Sequence, residues 1–95
     1  MTLEDIRNKR RQILEIAERH GVSRVRIFGS LARGETGPIS DVDFLIDVEG
    51  PTSPWFPGGF VAELETLLGC HVDVVEAEAL HKRLRESILR EAVTL

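Results

Sequence analysis

Ninety-five residues, 42% of them hydrophobic and 29% charged, suit one domain built on one core. The net charge of −4 argues against non-specific nucleic-acid binding, and no window approaches the run of about 20 apolar residues that crosses a bilayer. A lone cysteine, Cys70, rules out an intramolecular disulfide, and the first residues carry no apolar signal region, so a cytoplasmic location is expected.

The charge is uneven: residues 1–34 hold eight Lys/Arg against four Asp/Glu, and residues 35–95 hold four against twelve. A solvated basic helix face accounts for this, and a patch that steers an anionic ligand is the alternative.

In chain order, Thr2 with Asp5 forms a capping-box pattern at the start of a helix. Leu3, Ile6, Ile13, Leu14, Ile16 and Ala17 then recur at mostly helical spacing as far as Gly21, which suits the residue just past a helix end. His20, beside that end, reads as structural. Residues 22–28 read as a strand, with Val25 and Ile27 on one face and Arg24, Arg26 and Phe28 on the other. Gly29 and Ser30 follow as a tight turn leading into one short helical turn, and Gly34, Gly37 and Pro38 mark a loop. Residues 41–48 alternate again: Val42, Phe44, Ile46 and Val48 face the core, while Asp41, Asp43, Leu45 and Asp47 face away.

A proline-rich loop carries Trp55 and Phe56, expected to pack back on the core, with an exposed platform for a base or partner as the alternative. Phe60, Val61, Leu64, Leu67 and Leu68 form a helix closed by Gly69. Residues 70–75 read as a strand with Val72 and Val74 inward, so Asp73 shares a side with Asp41 and Asp43 if the strands pair in the obvious register. Residues 80–93 form a final amphipathic helix. The expected fold is a small α+β (α/β-type) domain, a three-stranded mixed sheet flanked by helices. So few strands leave apolar surface open, which favours homo- or hetero-oligomers.

The chemistry concentrates between residues 28 and 43. Asp41 and Asp43, two apart on a strand, project to one face with Cα atoms roughly 6.5–7 Å apart. Gly29 and Ser30 offer backbone N–H groups to an anion, with Arg33 one turn further on. Three carboxylates on one face repel, and divalent cations between them relieve the repulsion. Mg²⁺ takes one or two carboxylates plus phosphate oxygens, and two ions about 3.5–4 Å apart clamp an in-line displacement at phosphorus. In that scheme Asp41, Asp43 and Asp73 hold the metal and Asp73 helps deprotonate the attacking hydroxyl. Gly29, Ser30 and Arg33 hold the phosphates. Cys70, His71, His20 and His81 lack the paired spacing of a zinc site. His71 reads as a core or surface histidine, with a supporting role beside Asp73 as the alternative.

Gly29-Ser30, ten intervening residues, then Asp41-Val42-Asp43 resembles the Gly-Ser-x10-Asp-x-Asp signature of the polymerase-β-like nucleotidyltransferase superfamily. At this length, with Gly29-Ser30-x-x-Arg33-Gly34 and Ser40-Asp41-x-Asp43, the chain is similar to the minimal nucleotidyltransferase (MNT) group, as a single domain over residues 1–95. The resemblance implies the antitoxin of a HEPN–MNT pair, which transfers AMP from ATP, with Mg²⁺, onto a tyrosine of its HEPN-type toxin and binds that toxin stably. It maps the family's site residues onto Gly29, Ser30, Asp41, Asp43 and Asp73, with Arg33 an addition. A non-catalytic antitoxin that neutralises its partner by complex formation is the alternative. Neither a membrane nor direct nucleic-acid contact is expected.

Overall fold

The computed structural model describes residues 1–35 and 41–95, so Gly37, Pro38 and Ser40 lie outside the described residues. The chain opens on α1 (Leu3–Asn8), capped as its sequence foretells. Thr2 Oγ1 accepts from the Asp5 N–H at 3.1 Å, and an Asp5 carboxylate oxygen accepts from the Thr2 N–H at 2.8 Å. The bond that its carboxylate accepts from the Thr2 backbone, with the Thr2 side chain adding to it, holds the Asp5 carboxyl below the usual carboxylate range.

The single long helix expected before Gly21 is two, because the chain bends at Lys9 between α1 and α2 (Arg10–Arg19). No apolar residue lies between Ile6 and Ile13, and the bend brings both into full burial. Gly21 stands just past the end of α2 at φ +77°, the left-handed conformation that glycine adopts without a Cβ clash. His20 is structural: it pairs with Glu63, and its ring lies 5.7 Å from that of Phe60. Arg19 meets the same Glu63 at 2.7 Å, so α2 is pinned to α3 (Gly58–Leu68).

Among the described residues the sheet has four strands, in the order β3-β2-β1-β4. The strands β1 (Val22–Phe28) and β2 (Val42–Val48) are antiparallel, and β3 (Val72–Glu76) runs parallel to β2. The fourth strand corrects the expected count of three. After α4 (Lys82–Glu91) the backbone turns extended at Ala92, and β4 (Val93–Thr94) pairs antiparallel with the free edge of β1. Pairing satisfies polar groups on an edge that would otherwise lie open, and the Leu95 N–H adds a bond to the Val25 carbonyl at 3.1 Å. Two residues are too few to show a strand period, which is why residues 80–93 read as one helix.

One sheet face carries the core. Val25, Ile27, Val42, Phe44, Ile46 and Val72 pack there with Ile6 and Ile13 from the first two helices and Phe60 and Leu64 from α3. Wholly burying a large aliphatic or aromatic side chain is worth about 1.5–3 kcal/mol, so the eight fully buried ones among these dominate stability. Phe56 stacks on Phe60, with ring centroids 6.2 Å apart, but Trp55 is 82% exposed, contrary to the expectation that it packs inward. Three prolines and two adjacent glycines around it leave the loop no amphipathic period with which to bury every aromatic. The opposite sheet face is polar: Arg26 is buried against Asp47 at 2.9 Å, beside the fully buried Leu45. Asp43 and Asp73 stand on that same face.

Candidate active site

Register builds the acidic side of the site. Asp43 pairs with Phe28 across the antiparallel ladder and with Asp73 across the parallel one, so the three strand positions stand in one row. Parallel partners point to the same face, which places the Asp73 carboxylate beside that of Asp43. Asp41 enters just before β2, where the Val42 N–H bonds to the His71 carbonyl at 3.0 Å. The three predicted aspartates therefore converge.

His71 joins them. Its Nδ1 lies 3.5 Å from an Asp41 carboxylate oxygen and 4.0 Å from one of Asp73. One donor atom each from Asp41, His71 and Asp73 lies within 4.8 Å of the others, and all three side chains are open to solvent. Asp43 sits deeper. Burial raises its carboxyl above the ordinary range, and the negative charges of Asp73 and then Asp41 push the same way, with Arg33 opposing. Oxygen donors in mutual repulsion, one of them reluctant to ionise, are the donor set that a hard divalent cation relieves. The residues fit such an ion.

The glycine turn forms the other side. Phe28 opposite Asp43 carries the chain directly past that carboxylate, and a Cβ at Gly29 would collide with it. Gly29 also has φ +77°, so its backbone angle calls for glycine, and an added Cβ would push the Asp43 carboxylate aside. The chain then closes a turn rather than a helix: the Arg33 N–H reaches the Gly29 carbonyl at 3.2 Å and the Glu35 N–H reaches that of Ser30 at 2.9 Å. Buried Leu31 anchors the turn to the core.

The cradle expected to offer a free N–H already has a partner. The Gly29 N–H donates to Glu91 at 3.1 Å, and Arg33 donates to the same carboxylate at 3.2 Å. Arg33 also meets Glu35 at 3.0 Å, and these two carboxylates raise its affinity for the proton. Glu91 escapes a reading of the sequence because nothing in the spacing of an amphipathic helix marks its last residue as facing a turn 62 positions earlier. Cys70 is half-buried against the core, and burial pushes its thiol up, which suits a packing role. An open groove of about 400 Å³ between α2 and β1, lined by Leu14, Ala17, Val22 and Val25, shares no residue with the site.

A glycine turn thus stands against an acidic row across two sheet registers. The sequence model of the nucleotidyltransferase domain matches residues 9–95. The chain belongs to that family.

Over 79 residues this nucleotidyltransferase domain is 40% identical to the protein adenylyltransferase MntA of Thermococcus cleftensis, spanning 83% of the chain and 80% of that protein. A solved structure provisionally described as a minimal nucleotidyltransferase superposes with a TM-score of 0.88 at 44% identity, covering 100% of this chain and 97% of its own. The fold also matches, at TM-score 0.68 and 13% identity, a chain of the complex between tri-AMPylated Shewanella oneidensis HEPN toxin and its MNT antitoxin. That match covers 93% of this chain and 69% of the other, and at such identity the likeness is one of fold. Among the described residues no helix is long and apolar enough to cross a membrane.

Proposed function

We propose that this nucleotidyltransferase transfers AMP from ATP to a hydroxyl, a tyrosine's in the simplest case, on a HEPN-type toxin, and restrains that toxin as its antitoxin. The observation that carries the reading is the row Phe28, Asp43, Asp73, which sets the glycine turn and the acidic side chains against each other. Identity to a protein adenylyltransferase over most of both chains supports the reaction, and the match to an AMPylated toxin complex supports the partner.

Asp41, Asp43 and Asp73, with His71 beside them, would hold Mg²⁺, which supplies charge neutralisation at the phosphate oxygens. The Gly29 N–H and the Arg33 guanidinium bind and orient the polyphosphate, and the Ser30 hydroxyl adds a donor at the same turn. The acceptor oxygen attacks the α-phosphorus, forming one P–O bond as the bond to the bridging oxygen breaks and pyrophosphate leaves. Asp73, on the solvent-facing edge of the row, takes the acceptor's proton.

The test is mass spectrometry of the partner toxin after incubation with ATP and Mg²⁺. A gain of one or more AMP units is expected, and the Asp41→Asn, Asp43→Asn double variant should lower the rate by about 10²-fold or more. Undiminished transfer by that variant overturns the assignment. A tight complex whose toxin stays unmodified selects neutralisation by contact instead.

A further inference from the structure

Among the described residues Glu91 is the acidic side chain that accepts from both the Gly29 N–H and Arg33, and the fold delivers it there. The β1–β4 register pairs Ile27 with Val93. Glu91, two residues before Val93 and the last residue of α4, is thereby brought beside Gly29. The backbone that follows Glu91 is held by the β4 ladder and by the Leu95 N–H on the Val25 carbonyl at 3.1 Å, with the Leu95 side chain buried. The carboxylate then accepts from the Gly29 N–H at 3.1 Å and from one Arg33 nitrogen at 3.2 and 3.4 Å. Two acceptor oxygens, one negative charge and a backbone donor reproduce the contacts of a phosphate oxygen pair.

We infer that Glu91 is an internal competitor for the polyphosphate: its carboxylate occupies the cradle, and a triphosphate binds by displacing it. The inference rests on the reading that the Gly29–Arg33 turn takes that triphosphate. A mere role in positioning Arg33 does not account for the contact. Glu35 already holds Arg33 through two nitrogens, each at 3.0 Å, and the Glu91 bond to Gly29 does nothing for the arginine. Glu91 also adds negative charge to a region where three aspartates already repel, which favours its release when an anion with its own cation arrives. Release is easy. The side chain is about one-third exposed, and α4 buries no residue, so a rotation of the carboxylate empties the cradle without unpacking the core.

The test compares the wild type with Glu91→Gln and Glu91→Asp, measuring binding of inorganic tripolyphosphate and of ATP with Mg²⁺ by calorimetry. Both variants should bind about fivefold more tightly, the scale of one partly exposed charge-assisted contact. Glu91→Asp keeps the charge but shortens the reach from a backbone that β4 holds in place. Tightening in Glu91→Gln alone, with Glu91→Asp like the wild type, therefore indicates general charge repulsion and overturns the inference. The Gly29 amide resonance should also move in Glu91→Asp before any ligand is added, a signature of the hydrogen bond lost with the shorter side chain. Unchanged or weaker binding in both variants, while the wild type binds, overturns the competitor and leaves the proposed site standing. If none of the three binds triphosphate, the site reading falls and the competitor with it.

Discussion

Asp41, Asp43 and Asp73 stand together on one face at the start of β2 and β3, whereas Gly29 and Arg33, in the turn that follows β1, already hold the carboxylate of Glu91. The acidic side is costly for the folded protein, since burial and like charge both resist ionisation of Asp43. The basic side is satisfied internally. On the proposed function, a ligand carrying a divalent cation and several phosphate oxygens would answer the first and replace the partner of the second, so that affinity would arise from relief at one side and exchange at the other.

The largest expected effect comes from pushing one side into the other. Gly29→Ala adds a Cβ that meets the Asp43 carboxylate and forces a side chain into φ +77°, so a stability loss of about 1–3 kcal/mol and a fall in AMP transfer of about 10²-fold are expected. Gly34→Ala shares the positive φ but meets nothing within 4 Å, and should cost about 1 kcal/mol while leaving transfer nearly intact. Denaturant unfolding alongside the mass-spectrometric assay separates the two. Equal losses of transfer would break the contrast.

Next in size for stability is Asp43→Asn, which should raise the melting temperature of the metal-free protein at pH 7 by up to about 4 °C while lowering transfer by about 10²-fold. The sign follows from the raised carboxyl: the folded state binds this proton more readily than the unfolded chain does. Stability is therefore highest below the unfolded value near 3.8 and falls as pH rises through the folded one. The advantage of the variant must then shrink as the pH is lowered towards 4. An advantage that persists undiminished at low pH would mean that repulsion at Asp43 is not its source.

The smallest effect belongs to Glu35→Gln. Glu35 touches Arg33 but not the Gly29 N–H, and the pair is well exposed. Triphosphate affinity should stay within about twofold of the wild type, and the melting temperature within about 2 °C. A gain matching that of the Glu91 variants would show that any acid near Arg33 suffices.

Much of this was legible in residue order. Period-two alternation marked β1 and β2 to within a residue, because a sheet buried on one face imposes that pattern on each strand. Thr2 with Asp5, and Gly21, named their helix ends through local hydrogen bonds and a backbone angle, neither of which needs the rest of the chain. The common side of the aspartates was likewise legible, since Asp41 and Asp43 stand two apart at the start of β2 and Asp73 lies on β3.

The sequence alone determined which side chains could carry charge to one face, because spacing along a strand decides that before any folding. Tertiary structure decided what stands opposite what: the parallel register that matches Asp73 to Asp43, the two-residue strand that closes the β1 edge, the exposed Trp55, and Glu91 on Gly29. Each of these is a pairing between segments far apart in the chain. Such pairings follow from filling open edges and excluding water across the whole molecule, and no local period records them.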